Sequence, residues 1–482
     1  MSPYTLFGFV IAYFLLLLFV AWRTSRNSNN DSFFIGNRNS NWLLVSFGMI
    51  GTSLSGVTFV SVPGTVGTSH FAYFQVVLGY FIGYIIVAYV LLPLYYRLNL
   101  TSIYNYLLQR FGMITYKTGA MFFILSRVLG ATARLYLVIN VLQVFILDNM
   151  HVSFGVTTFI ILLMILLYTF EGGVKTIVFT DTLQTSFMLL GLVTCIIVIM
   201  NSLGFSFGET MSALAEKGYT KVFNTDINSS AFFLKQIIGG AFITIGMTGL
   251  DQEMMQKNIS VKTLHGAQKN MLTFSVVLMF VNFLFLLLGG LLYLFAASNN
   301  IDIKGDDLFP TIALQQLPSY ISIIFIIALI SALFPSADGA LTALTSSFCI
   351  DILGIKRDES LSEEKRKKMR LTVHISFAII FFLCVMIFKW LNDKSIIDII
   401  LKVAGYTYGP LLGMFGFGIL TKRKIPQNIL SVLLCFVSPV ICYLLSLYSA
   451  KWFHGYTIGY ELLLINGIIT FAGLWVISEK ES

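Results

Sequence analysis

Charge is scarce in this chain. Asp, Glu, Lys and Arg make up only 11% of its 482 residues, hydrophobic residues make up 57%, and the mean hydropathy is +0.83. A soluble protein could not hide that much apolar surface, so the composition points to a polytopic helical membrane protein. The apolar runs are too long for barrel strands. Cysteine is also sparse: Cys195, Cys349, Cys384, Cys435 and Cys442 lie scattered through apolar stretches, without disulfide or metal spacing. The five histidines share no spacing that suggests a metal, and no GxGxxG, P-loop, nucleophile-elbow or zinc pattern is convincing. Nothing here supports an enzyme. No basic residue precedes the first apolar segment, Tyr4–Trp22, and no small-residue cleavage site follows it, so it reads as a retained span.

Long apolar runs dominate what is present. Hydropathy predicts about thirteen spans, near 4–22, 42–66, 71–96, 118–147, 152–170, 175–203, 231–256, 270–297, 320–353, 371–390, 396–420, 427–449 and 459–478. Alternate loops divide the basic residues 21 to six, with four more (Arg127, Arg134, Lys235 and Lys402) inside spans. That bias places the basic side in the cytoplasm, the N-terminus outside and the C-terminus inside. It also explains the net charge of +8 without nucleic acid, and makes Lys365–Arg370 a topology signal.

One span is weak in its middle. Gly51-Thr52-Ser53-Leu54-Ser55-Gly56 is a run of glycines and small hydroxyls, a poor helix former. In hydrocarbon, each freed backbone group costs several kcal/mol unless protein, an ion or a polar cavity meets it. The run is therefore a packing notch or a binding site. Five spans later, GGAFITIGMTGLDQ carries Gly239, Gly240, Gly246 and Gly249 ahead of Asp251 and Gln252. An odd offset reverses direction, so spans 2–6 and 7–11 fit inverted repeats. Interrupted helices at matching places in two such halves point to a transporter's binding site.

Charged groups inside spans are functional hypotheses by default. Arg127 and Arg134 lie seven residues apart on one helical face. Each must find an anion, carbonyls or water; Arg134 is the deeper, and its planar fork suits a ligand carboxylate as well as a structural ion pair. Asp181 and Gln184 face one way in span 6, where a carboxylate is a sodium ligand, a proton carrier or a partner for Arg134. In span 9, Ala332, Pro335, Ser336 and Gly339 follow helical spacing with Asp338 beside them, and Pro335 frees the carbonyl of Ser331. Oxygen-rich small residues of this kind suit a hard cation, although a plain kink would also explain the proline. Gln75 and Asn282 either line a cavity or bond a neighbouring helix, and Lys402 either binds a ligand or pairs with Asp398.

These motifs together resemble the sodium:solute symporters, transporters of sugars, proline, iodide, vitamins and sialic acid. The resemblance rests on SLSGVTFVSVPG in span 2, LPLYYRLNLTSIYNYLLQRFG after span 3, FTDTLQT in span 6, LDQEMMQKNIS, ADGALTALTSSFCIDIL and YGPLLGMFGFGIL. It implies an all-α polytopic fold with a leucine-transporter-like core of five plus five inverted helices, one helix before it (4–22) and two after it (427–478). The chain would be a single transporter domain over 1–482, with the first repeat and the start of the second in 42–256 and the second repeat in 231–420. Position by position, the main sodium site would take carbonyls of Gly51, Leu54 and Ala332 and the hydroxyl of Ser336. Pro335 stands where the family usually has a hydroxyl. A second sodium would use Asp181 and positions 338 and 339, here Asp338 and Gly339. The two aspartates could then share one cation, or a proton could replace it. The substrate would meet Arg134, Ser53, Ser55 and Thr58, with Gln75 near another such position. Val77, Met247 and Thr248 stand where the glucose branch has other residues, which favours an anionic sugar or small carboxylate over a neutral sugar.

The implied function is a sodium-coupled symporter of the inner membrane, taking up a small organic solute with one or two Na+ ions. Its partners are that solute and the lipid bilayer, not nucleic acid; nothing bears on its oligomeric state. Proton coupling remains an alternative. A non-transporting sensor of the same fold is disfavoured by the lack of a kinase-like extension.

Overall fold

The computed structural model describes residues 2–24, 33, 38–170, 173–391 and 396–480. Eight helices are long and apolar enough to cross a membrane: α1 (Pro3–Thr24), α4 (Tyr73–Arg97), α6 (Met113–Met150), α8 (Thr176–Leu203), α12 (Leu264–Ser298), α13 (Ser319–Ile352), α14 (Glu363–Leu391) and α17 (Ile429–Trp452). Three bent pairs add a span each: α2 (Trp42–Ser53) with α3 (Gly56–Ser69), α10 (Phe233–Gly249) with α11 (Gln252–Ile259), and α15 (Ile400–Thr407) with α16 (Gly409–Leu420). The shorter apolar helices α7 (Phe154–Thr169) and α18 (Leu462–Ile477) complete the expected thirteen. Two short helices, α5 (Asn105–Phe111) and α9 (Phe207–Glu216), lie in connections.

The first break has a simple backbone cause. The Leu54 N–H closes α2 on the Ile50 carbonyl at 2.8 Å, after which Ser55 turns extended (φ −69°, ψ 172°). The Ser55 carbonyl then accepts from the Phe59 N–H at 3.1 Å and starts α3, bent 55° from α2. A helix leaves its last carbonyls without internal partners, so the break leaves the α2 carbonyls free at that depth.

The second break matches it. A wide turn over Ile245–Gly249 ends α10, and Asp251 caps α11 by accepting from the N–H groups of Glu253 at 2.9 Å and Met254 at 3.2 Å. The bend is 64°. Every residue of α11 is buried, including Gln252, Glu253, Gln256, Lys257 and Asn258. This corrects the expected topology at one point: Lys257 is a buried side chain of the bundle, not a basic residue of a cytoplasmic loop. The remaining basic bias still runs the same way.

Close backbone contact joins the two halves. A Cβ on Gly240 would overlap the Val76 carbonyl, and one on Gly79 would overlap the Ile237 carbonyl. Glycine at both positions lets α4 and α10 touch along their backbones, a typical arrangement in membrane bundles.

Candidate functional site

The break between α2 and α3 forms one wall of a cavity of about 100 Å³. Ser53, Ser55 and Thr58 line that wall, with Arg127 and Arg134 of α6 facing it. Tyr73, Tyr80 and Tyr84 of α4 supply aromatic surface, and Thr244, Met247 and Thr248 come from the end of α10, the last two from its wide turn. Asn282 also lines the cavity, although its amide donates to the Leu278 carbonyl of its own helix at 2.8 Å. Four of the five residues expected to meet substrate therefore gather in one place.

Gln75 is the exception. Its side chain accepts from the Asn224 N–H at 3.1 Å and donates to the Ala72 carbonyl at 3.0 Å, so it ties down the connection before α10. It faces a second cavity of about 500 Å³, shared with Thr65, Thr68, Gln236 and Lys402. The two cavities meet at Tyr73 and Leu401. The Asp398 side chain, the expected partner of Lys402, lies outside the described residues.

The two arginines have different surroundings. Arg127 pairs with the Glu253 carboxylate and lies 3.8 Å from Asp251, both contributed by the start of α11. Asp251 also accepts from the Tyr408 hydroxyl at 2.7 Å. Arg134 is half-buried in the cavity wall and makes no ion pair or hydrogen bond among the described residues. A guanidinium cannot shed its proton, so this wall of the cavity carries a positive charge that no carboxylate among the described residues pairs with.

The expected main sodium position lies where α2, α8 and α13 meet. No hydrogen bond reaches the carbonyls of Gly51 or Leu54 among the described residues. Ser336 is buried and donates to the Leu333 carbonyl at 2.8 Å, which leaves its oxygen lone pairs available. A Cβ on Gly51 would overlap the Thr185 hydroxyl and lie 3.5 Å from Pro335 Cγ. That Thr185 hydroxyl is buried without a hydrogen-bond partner.

The expected second position is arranged differently. Lys257 Nζ lies 2.6 Å from Asp181 Oδ2 and donates to Thr52 Oγ1 at 2.6 Å. Glu253 follows one turn earlier on α11, 3.7 Å from the same ammonium. Both Asp338 oxygens accept hydrogen bonds, from the Tyr168 hydroxyl at 2.6 Å and from the Gly339 N–H at 2.5 Å. A Cβ on Gly339 would overlap the Glu253 carboxylate, so glycine here makes room for that acid. Lys257 and Glu253 were not expected in the site. Their i, i+4 spacing behind the capping Asp251 was the available signal.

The chain matches the model of the sodium:solute symporter family over residues 33–434. It belongs to that family. The sodium/sialic acid symporter SiaT of Proteus mirabilis is 25% identical over 96% of this chain and 93% of its own. The sodium/sialic acid symporter NanT of Aliivibrio fischeri is 24% identical over 92% of this chain and 88% of its own. A solved structure of a Na+-coupled sialic acid symporter, outward-open with substrate bound, superposes with a TM-score of 0.83 at 21% identity, covering 99% of each chain. That likeness establishes the expected all-helical, leucine-transporter-like fold. Sodium is the coupled ion of the family, whose members are transporters.

Proposed function

We propose that this sodium:solute symporter carries an anionic sugar of the sialic acid type inward across the inner membrane, coupled to sodium. Arg134 carries this reading: it is a cavity-wall guanidinium with no carboxylate of its own, opposite the Ser53, Ser55 and Thr58 edge of the broken helix. A substrate carboxylate would pair with the fork, and the hydroxyls would bond the sugar's own hydroxyls. The two relatives named for sialic acid support the same class.

Sodium enters this scheme as co-substrate. It would bind the free carbonyls of Gly51 and Leu54 with oxygens of Ala332 and Ser336, holding α2 against α13. That contact fixes the break and so sets the hydroxyls that meet the sugar, which makes sodium and substrate binding mutually favourable. With the N-terminus outside and the C-terminus in the cytoplasm, the larger cavity beside Lys402 opens to the exterior and feeds the smaller one through Tyr73. Rocking of two helix bundles against each other would then open the inner side.

A smaller carboxylate is the second reading, favoured by the central cavity's volume of only about 100 Å³. Uptake of radiolabelled N-acetylneuraminate by proteoliposomes, driven by an inward sodium gradient, tests the first reading. Sodium-driven uptake that neutral sugars fail to compete with is the expected result. Uptake indifferent to the sodium gradient would overturn the coupling, and competition by lactate or pyruvate with no uptake of the sugar acid would move the assignment to the second reading.

A further inference from the structure

The cluster beside the broken helix has a charge pattern that the transport scheme leaves unused. Three helices deliver carboxylates to one buried region: Asp181 on α8, Glu253 on α11 and Asp338 on α13. A mobile sodium ion is the usual occupant of such a place, because hard cations seek oxygen ligands. Here a side chain reaches it first. Lys257 is 3% exposed, and its ammonium has Asp181 Oδ2 and Thr52 Oγ1 as partners, both at 2.6 Å.

We propose that the Lys257 ammonium is a tethered cation that fills the position between Asp181, Thr52 and Asp338, so that one sodium ion, and not two, accompanies each substrate. The proposal rests on the sodium-coupled reading above.

Three observations support it besides the lysine's own contacts. Both Asp338 oxygens are used by donors of the protein, the Tyr168 hydroxyl and the Gly339 N–H, and neither is turned to open space. The room left by Gly339 is taken by the Glu253 carboxylate, 3.7 Å from the ammonium. Glu253 is in turn paired with Arg127, so positive and negative groups alternate from Arg127 through Glu253 and Lys257 to Asp181. A sodium ion added to this chain would face an ammonium and a guanidinium, and of the Asp181 and Asp338 oxygens only Asp181 Oδ1 accepts no hydrogen bond among the described residues.

A tethered charge also behaves differently from a bound ion. It costs no translational freedom at each cycle and stays when external sodium is low. Thr52 lies on α2, Asp181 on α8 and Lys257 on α11, so the lysine joins two of the broken spans to a third helix. That joint would hold at any sodium concentration. Sodium would then act only at the Gly51 and Leu54 carbonyls.

The test counts ions on the purified full-length protein. Equilibrium binding of radiosodium is measured for the wild type, for Lys257→Arg and for Lys257→Ser. Should Lys257→Ser fail to fold, Lys257→Ser/Glu253→Gln, which removes one charge of each sign, takes its place. One sodium per chain is expected for the wild type and Lys257→Arg, and two for the variant in which the serine hydroxyl replaces the ammonium. Two ions in the wild type would overturn the tethered-cation proposal and leave the sodium-coupled reading intact. One ion in every protein would also overturn it, because removing the lysine would then have opened no site. No sodium binding in the wild type would instead overturn the sodium-coupled reading. In proteoliposomes, N-acetylneuraminate and sodium should enter in a ratio of one to one; as a monoanion with a monocation, they should carry no net charge.

Discussion

Arg127 and Arg134 stand two helical turns apart on the same face of α6, and only Arg127 is matched by carboxylates of the protein. The same residue type therefore has two different surroundings on one helix. Arg127 ties α6 to the start of α11, and Arg134 lines the cavity wall without an ion pair among the described residues.

Arg134→Ala should lower affinity for a carboxylated substrate without loss of fold. A charge-assisted hydrogen bond is worth about 2 kcal/mol, which corresponds to a rise of roughly thirty-fold in the substrate concentration for half-maximal uptake. Because Arg134 pairs with no carboxylate among the described residues, its removal orphans no buried charge there, and the unfolding temperature in detergent should hold. Arg134→Lys should recover only part of the affinity, since an ammonium lacks the two-pronged geometry. Unchanged affinity in Arg134→Ala would rule out direct contact.

Arg127→Ala should behave in the opposite way. It leaves Glu253 buried beside fewer cations, and breaking one half of a buried pair costs about 3–5 kcal/mol. A marked drop in unfolding temperature is expected, measured on purified protein. Arg127→Met/Glu253→Met removes both charges and should recover much of that loss. If the double variant is no more stable than the single one, the ion pair is not the source of the effect.

Gly51→Ala probes the sodium position by size alone. The added methyl group would overlap the Thr185 hydroxyl, so either α2 shifts or Thr185 moves. Overpacking of this kind costs about 1–3 kcal/mol. Because it acts on the carbonyl assigned to sodium, the concentration of sodium for half-maximal uptake should rise by about ten-fold or more, with Arg134 untouched. Gly51→Ala/Thr185→Ala should regain part of the loss, as the alanine gives up the crowded oxygen. A sodium requirement equal to that of the wild type would dissociate Gly51 from the ion.

The contrast between these sites explains what was legible in the sequence. Hydropathy is a local property, and all thirteen spans are present, most within a few residues of their expected limits; α12 and α14 start earlier, at Leu264 and Glu363. The break at Gly51–Gly56 was legible for the same reason: glycines and hydroxyls in an apolar run have few other uses. Lys257 was not legible, because hydropathy cannot separate a polar stretch that leaves the membrane from one that stays buried among partners. Only the fold brings Asp181 and Thr52 to it. Gln75 lies apart for a related reason: on α4 it shares a turn with Tyr73, yet its amide bonds the backbone of Ala72 and of Asn224, in the connection before α10, beside the larger cavity.

Pro335→Ser tests the proline at the expected main sodium position. Pro335 lies within the continuous helix Ser319–Ser347, buried and facing Gly51. A proline in a helix interior removes one backbone hydrogen bond and costs about 3 kcal/mol or more. Serine would return the N–H to the Ser331 carbonyl and add a hydroxyl toward the ion. Both changes favour the folded, sodium-bound state, so the unfolding temperature should rise and sodium activation should shift to several-fold lower concentration. The two readouts separate two roles for the proline. If stability rises while sodium activation becomes poorer, the carbonyl that Pro335 frees is itself an ion ligand, and the serine has withdrawn it. If both improve, the hydroxyl is the better ligand, and the proline weakens the site.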